Sequence, residues 1–268
     1  MDPILQYAIL FFTGILTGTA SGLFGVGGGF LMTPVQFWLY TGGGMDSTLA
    51  TRLAFGTTLA VIIPTMISGA LAHHNRGAVN WQAVVPMGCA AVFGGIAGGT
   101  LAAHLPGIVL RTIFAILLIV MAVRMIWHMQ SCMPCEPHGS TGIYILIGFF
   151  IGIVSGLAGI GGGVLLVPVL VILLGYPMHS AVGTSSACLI FSSTGAVAAY
   201  IINGFGVAGL PLYSIGYVDL VTFAILAVTT IPLARLGVRY AHRCSGRHLQ
   251  MAFAGMLILI GGMILINR

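Results

Sequence analysis

The chain has 268 residues, 58% hydrophobic and 5% charged, with nine basic residues (all arginine) against four acidic ones. A soluble domain carries roughly a quarter charged residues, so this composition excludes a water-facing enzyme or nucleic-acid-binding domain and leaves the bilayer as the solvent that fits. The net charge of +5 then reports orientation and contact with a lipid surface.

The chain begins Met1-Asp2-Pro3 without a basic region, so its first apolar segment is expected to direct insertion rather than be cleaved as a signal. Apolar segments follow at 4–40, 47–72, 81–104, 107–129, 141–175, 179–203, 213–241 and 247–267. Each unbroken one is near the ~20 residues that cross the hydrocarbon as a helix. The first and fifth are longer and are interrupted at 21–29 and 155–163.

The two interruptions are copies. Ser21, Gly22, Gly25, Gly27, Gly28, Gly29 and Pro34 recur as Ser155, Gly156, Gly159, Gly161, Gly162, Gly163 and Pro168, at a constant offset of 134. Glycine costs a helix about 1 kcal/mol relative to alanine, so such a run ends the helix. Unwound backbone survives at membrane depth only against protein or a water-filled cavity. Each segment is therefore expected to be a helix, a buried glycine loop and a second half-helix.

Further correspondences extend the duplication. Gly56-Thr57-Thr58 is answered by Gly183-Thr184-Ser185 at an offset of 127, and Val79-Asn80-Trp81 by Val218-Asp219-Leu220. The expectation is an all-α polytopic membrane protein of two homologous repeats, about four helical segments each. The N-terminal repeat covers 1–129, a connecting loop 130–140 and the C-terminal repeat 141–268. If both broken segments span the membrane, the repeats are parallel; if they are re-entrant hairpins, the repeats are inverted. Two half-depth tips meeting at the midplane favour the inverted arrangement. Arg235, Arg239, Arg243 and Arg247 cluster before the last segment. That connection is expected to be cytoplasmic, and both termini outside a multi-pass cell membrane protein.

Consecutive amides of Gly27, Gly28 and Gly29, and of Gly161, Gly162 and Gly163, form a cradle for an anion, reinforced by the following helix N-terminus. Close helix packing is the competing reading. Ser21 and Ser155 at the breaks, with the paired hydroxyls of Thr57, Thr58, Thr184 and Ser185, are candidate hydrogen-bond donors to the same substrate, unless they bond back to their own helices. Arg52, inside an apolar segment, suits carboxylate, sulfonate or phosphate. Snorkelling, or a pair with Asp46, is its structural alternative. His179 occupies the position of Arg52 in the second copy. The other histidines sit near segment ends, where a solvated or headgroup role is expected.

No carboxylate lies mid-segment, which argues against a cation substrate, although a sodium site of carbonyls and hydroxyls stays open. Cys132-Met133-Pro134-Cys135 reads as a disulfide, a redox pair or half a metal site, but zinc needs four ligands and no second pair is present. Ser–His–Asp sets, H-E-x-x-H and a P-loop lysine are absent. The expectation is therefore no catalytic residue, no metal and no cofactor.

The double Ser-Gly-x-x-Gly-x-Gly-Gly-Gly-x-x-x-x-Pro motif with its Gly-Thr-Thr/Ser elements resembles the TauE/SafE (sulfite exporter, 4-toluene sulfonate uptake permease) family of membrane transporters. The resemblance covers nearly the whole chain. It implies secondary transport of organosulfur anions such as sulfite, sulfoacetate or related sulfonates. Carried over by position, the site is the two tips with Thr57, Thr58, Thr184 and Ser185; Arg52 rests on the physical argument alone. The implied partners are a small anionic substrate, the lipid bilayer and a coupling ion, proton or sodium. A homodimer is compatible with the sequence, and nucleic acid is not a partner. The alternatives are an anion channel, or a thiol-redox or metal-handling protein using Cys132 and Cys135.

Overall fold

The computed structural model describes residues 3–106, 119, 120, 123, 127 and 139–266. Cys132 and Cys135, and the boundary between the expected repeats, lie outside the described residues. The helices are α1 (Pro3–Phe24), α2 (Gly29–Gly42), α3 (Ser47–His74), α4 (Trp81–Ala102), α5 (Thr141–Ala158), α6 (Gly163–Ile172), α7 (Met178–Gly204), α8 (Leu220–Ala241) and α9 (Gly246–Ile266). Six of them (α1, α3, α4, α5, α7 and α8) are long and apolar enough to cross a membrane. The protein is an all-α polytopic membrane protein.

Two boundaries differ from the sequence expectation. The breaks are shorter: α1 continues through Phe24 and α5 through Ala158, because Gly25 and Gly159 still donate i to i−4 bonds to Ser21 and Ser155. The segment from 213 begins as a two-stranded hairpin, β1 (Ser214–Ile215) and β2 (Val218–Asp219), turning at Gly216 with φ 54°. Its helix starts only at Leu220, where the Asp219 carboxylate accepts from the amides of Val221 and Thr222 and caps it.

The two breaks share one backbone conformation. Gly25, Gly27 and Gly28 have φ of 66°, 80° and 73°; Gly159, Gly161 and Gly162 have 64°, 86° and 74°. Side chains rarely adopt this left-handed region, which explains why glycine stands at each of these positions in both copies.

Small residues four apart let the helices pack backbone to backbone. Gly14, Gly18 and Gly22 of α1 lie against Leu226–Ala234 of α8, and Gly148, Gly152 and Gly156 of α5 lie against Met87–Gly99 of α4. In both pairs the numbers rise together, so the helices are parallel. Thr65 of α3 meets Thr230 of α8, oxygen to oxygen at 2.7 Å, and His73 meets His242. Hence α1, α3 and α8 run one way. Gly88 of α4 meets Phe191 and Gly99 meets Ala199, so α4, α5 and α7 also share a direction. The two sets oppose each other: Gly56 of α3 lies at Tyr200 of α7, while Gly183 of α7 lies at His73.

The short helices turn back. Gly29 and Gln36 of α2 lie at Thr58 of α3, and Tyr40 reaches Asp219, where α8 begins. After α6, Tyr176 bonds Asn80 and Tyr144, where α4 and α5 begin. Each break is thus the bend of a hairpin that returns to the end it came from.

Candidate functional site

The two hairpin bends meet inside the bundle. A Cβ on Gly29 would stand 2.8 Å from Ile160 Cα, and one on Gly163 would stand 2.7 Å from Val26 Cα. The same substitution at Gly27 or Gly161 would run into Ile62 of α3 and Leu189 of α7. Residues 25–30 and 158–171 are all buried. The N-termini of α2 and α6, each worth about half a positive charge, therefore converge on one place.

Side chains from across the bundle fix the orientation of the bends. Ser185 donates to the Gly25 carbonyl at 2.9 Å, Thr33 to Gly159 at 3.3 Å and Ser192 to Gly161 at 3.3 Å. In a trans peptide the following N–H points opposite to the carbonyl. Holding these three oxygens therefore aims the amides of Val26, Ile160 and Gly162 away from the hydroxyls that hold them. The amides of Gly27, Gly28, Gly161 and Gly162 find no acceptor among the described residues. Buried backbone donors are rarely left unpaired, and each costs about 1–3 kcal/mol.

Thr58 is beside the bends and fully buried. Its oxygen accepts from the Gln36 amide at 2.9 Å and lies 3.2 Å from the Thr33 hydroxyl, whose single proton is shared with the Gly159 carbonyl. Ser21 Oγ and Gln36 Oε1 are buried without partners among the described residues, and Ser155 reaches Ser192 at 3.5 Å. The structure thus gathers Ser21, Gly27, Gly28, Gly29, Thr58, Ser155, Gly161, Gly162, Gly163 and Ser185 at or beside the bends.

Four expected site residues stand elsewhere. Thr57 and Thr184 accept from the backbone amides of Asp219 (2.9 Å) and Asn80 (3.1 Å), the capping residues of α8 and α4. Arg52 stands near the start of α3, beside Tyr217 at 3.4 Å. His179 stands at the opposite end, its Nε2 3.1 Å and 3.2 Å from the carbonyls of Ala241 and Cys244. Antiparallel α3 and α7 carry these equivalent positions to opposite ends.

Three residues beside the bends or at the far end escaped sequence reasoning. Thr33 and Gln36 lie three apart on one face of an apolar helix, a readable signal, and the second copy has Val167 and Leu170 there. His73, expected to be solvated, is fully buried, with its ring nitrogens 3.1 Å from His242 Nε2 and 3.2 Å from the Gly22 carbonyl. No group of three or more metal-ligating side chains occurs among the described residues.

Apolar helices enclosing two inward-facing glycine bends make a multi-pass membrane protein, and its family and relatives make it a membrane transporter. The chain belongs to the sulfite exporter TauE/SafE family, whose model matches residues 10–264. It is similar to a probable membrane transporter protein of Methanocaldococcus jannaschii, 28% identical over 260 residues, covering 96% of this chain and 95% of the relative. A probable membrane transporter protein of Haemophilus influenzae is 29% identical over 247 residues, 92% of this chain and 93% of the relative. The probable membrane transporter protein YdhB of Bacillus subtilis is 25% identical over 268 residues, 96% of this chain and 100% of the relative. No solved structure matches the chain.

Proposed function

We propose that the chain is a secondary transporter of a small organosulfur anion, sulfite, sulfoacetate or a related sulfonate, held between the two glycine bends during alternating access. The observation that carries this reading is the set of four buried amides, of Gly27, Gly28, Gly161 and Gly162, without an acceptor among the described residues at two converging helix N-termini. Such a set matches an anion and opposes a cation. The hydroxyls of Thr58 and Ser21 add polar groups beside the bends without adding charge.

The opposed directions of equivalent helices support inverted repeats with one re-entrant hairpin each. The arginines at 235, 239, 243 and 247 put the end where α8 finishes in the cytoplasm by the positive-inside rule. The N-terminus and the start of α3 then face outside. Ile62 and Leu189 close over both bends at once, which favours an occluded carrier over an open channel.

The test is counterflow of labelled sulfite in proteoliposomes, with sulfoacetate, taurine and sulfate as competitors. Saturable exchange that falls at least tenfold in Thr58→Val supports the carrier. Unsaturable conductance, or no response to any of these anions, would sink it.

A further inference from the structure

We infer that the end of the bundle where α3 begins carries a second anion site, centred on Arg52, which captures a small oxyanion before it reaches the glycine bends. The inference rests on the transporter reading of the bends and adds a site which that reading does not use.

A small, partly open cleft lies at this end, lined by Thr48, Thr51, Arg52, Phe55, Leu105 and Tyr200 among others. The guanidinium inside it is poorly matched by protein. One Nη donates to the Tyr217 hydroxyl at a long 3.4 Å, and Nε is buried with no partner among the described residues. Asp46, the carboxylate nearest in sequence, is engaged by the amides of Thr48 and Leu49 as the cap of α3. The Tyr200 hydroxyl is committed to the Gly156 carbonyl at 3.0 Å. A part-buried cation without a counter-charge is costly, and the free edge of a guanidinium fits two oxygens of one sulfite or sulfonate.

Arg52 lies six residues before Thr58, about 9 Å along the helix. That exceeds what one small anion bridges, so the two places are separate sites.

The equivalent position at the opposite end carries no guanidinium. His179 replaces Arg52 there and faces two carbonyls. Arg76 donates to the Val238 carbonyl at 2.7 Å, and Arg235 donates to Ser68 at 3.0 Å. The Arg52 site therefore has no counterpart at the equivalent position on the face of the arginine cluster.

The experiment compares sulfite uptake by right-side-out and inside-out vesicles. Arg52→Gln is expected to raise KM roughly tenfold from the Arg52 face, the scale of a lost charge-assisted pair. From the other face KM stays unchanged, and kcat stays within about twofold from both. Arg52→Lys recovers part of the loss. An unchanged KM at the Arg52 face overturns the site, and so does an equal loss at both faces with a lowered melting temperature, the mark of a structural role. Thr58→Val reports the bends separately, lowering kcat from both faces. If the wild type moves no sulfite, the transporter reading fails. The Arg52 site then stands or falls on whether sulfite raises the melting temperature of the wild type but not of Arg52→Gln.

Discussion

Thr57 and Thr184, 127 residues apart, make the same hydrogen bond to opposite parts of the chain: each accepts the backbone amide of a helix-capping residue, Asp219 at 2.9 Å and Asn80 at 3.1 Å. The glycine preceding each threonine gives the loop room. Gly56 lies under the Tyr217 carbonyl and Gly183 under the Ala78 carbonyl. The first copy thus seats the start of α8, and the second seats the start of α4.

Thr57→Val and Thr184→Val each remove the acceptor of an amide and keep the volume. Each is expected to destabilise the fold by about 1–3 kcal/mol. The sites share no partner, so the double variant is expected to be additive within about 0.5 kcal/mol. Thermal or denaturant unfolding in detergent reads both. A variant without effect would mean that the seat is not needed to hold the cap.

Gly163→Ala sets a methyl group 2.7 Å from the Val26 Cα, backbone that cannot swing aside. The expected outcome is loss of transport together with a lowered melting temperature. Gly43→Ala serves as control. Its φ is −83°, and its nearest neighbour would be the Tyr40 carbonyl at 3.3 Å. Equal damage from both variants would count against close approach of the bends.

Asp219 joins three elements. Its carboxylate caps α8 through the Val221 amide at 3.0 Å, accepts from the Thr222 hydroxyl at 2.6 Å and accepts from Tyr40 of α2 at 3.0 Å. Asp219→Ala is expected to cost about 2–4 kcal/mol, a lost cap plus buried hydroxyls left without their acceptor. Asp219→Asn keeps one oxygen and is expected to recover about half, by the same unfolding measurement.

His242 follows α8 and stacks between His73 and His179. Burial, with Arg76 and His179 beside it, holds its imidazole below the usual range. The folded protein therefore takes up this proton less readily than the unfolded chain, whose histidines titrate near 6.5. Stability is expected to be level above about pH 7 and to fall as the pH drops through 6. His242→Gln is expected to flatten that fall. A melting temperature equally pH-dependent in both proteins would assign the effect to another group.

Much of the fold was legible because glycine and charge act locally. Charge scarcity placed the chain in lipid, and the offsets of 134 and 127 located the breaks and the paired Gly-Thr elements. Boundaries were less legible. Ser21–Phe24 stays helical because an i to i−4 bond tolerates the glycine at 25 as its donor, and the 213–219 hairpin hid inside an apolar run.

The site itself divides the same way. Sequence alone determined that two glycine breaks exist, that the helix ends at each and that no carboxylate lies mid-segment, since these follow from residue type and spacing. Only the tertiary structure decided that Ser185 holds Gly25 and Thr33 holds Gly159, and that Arg52 and His179 part to opposite ends. Those contacts arise where antiparallel helices cross, between residues more than a hundred positions apart, and no local period encodes them.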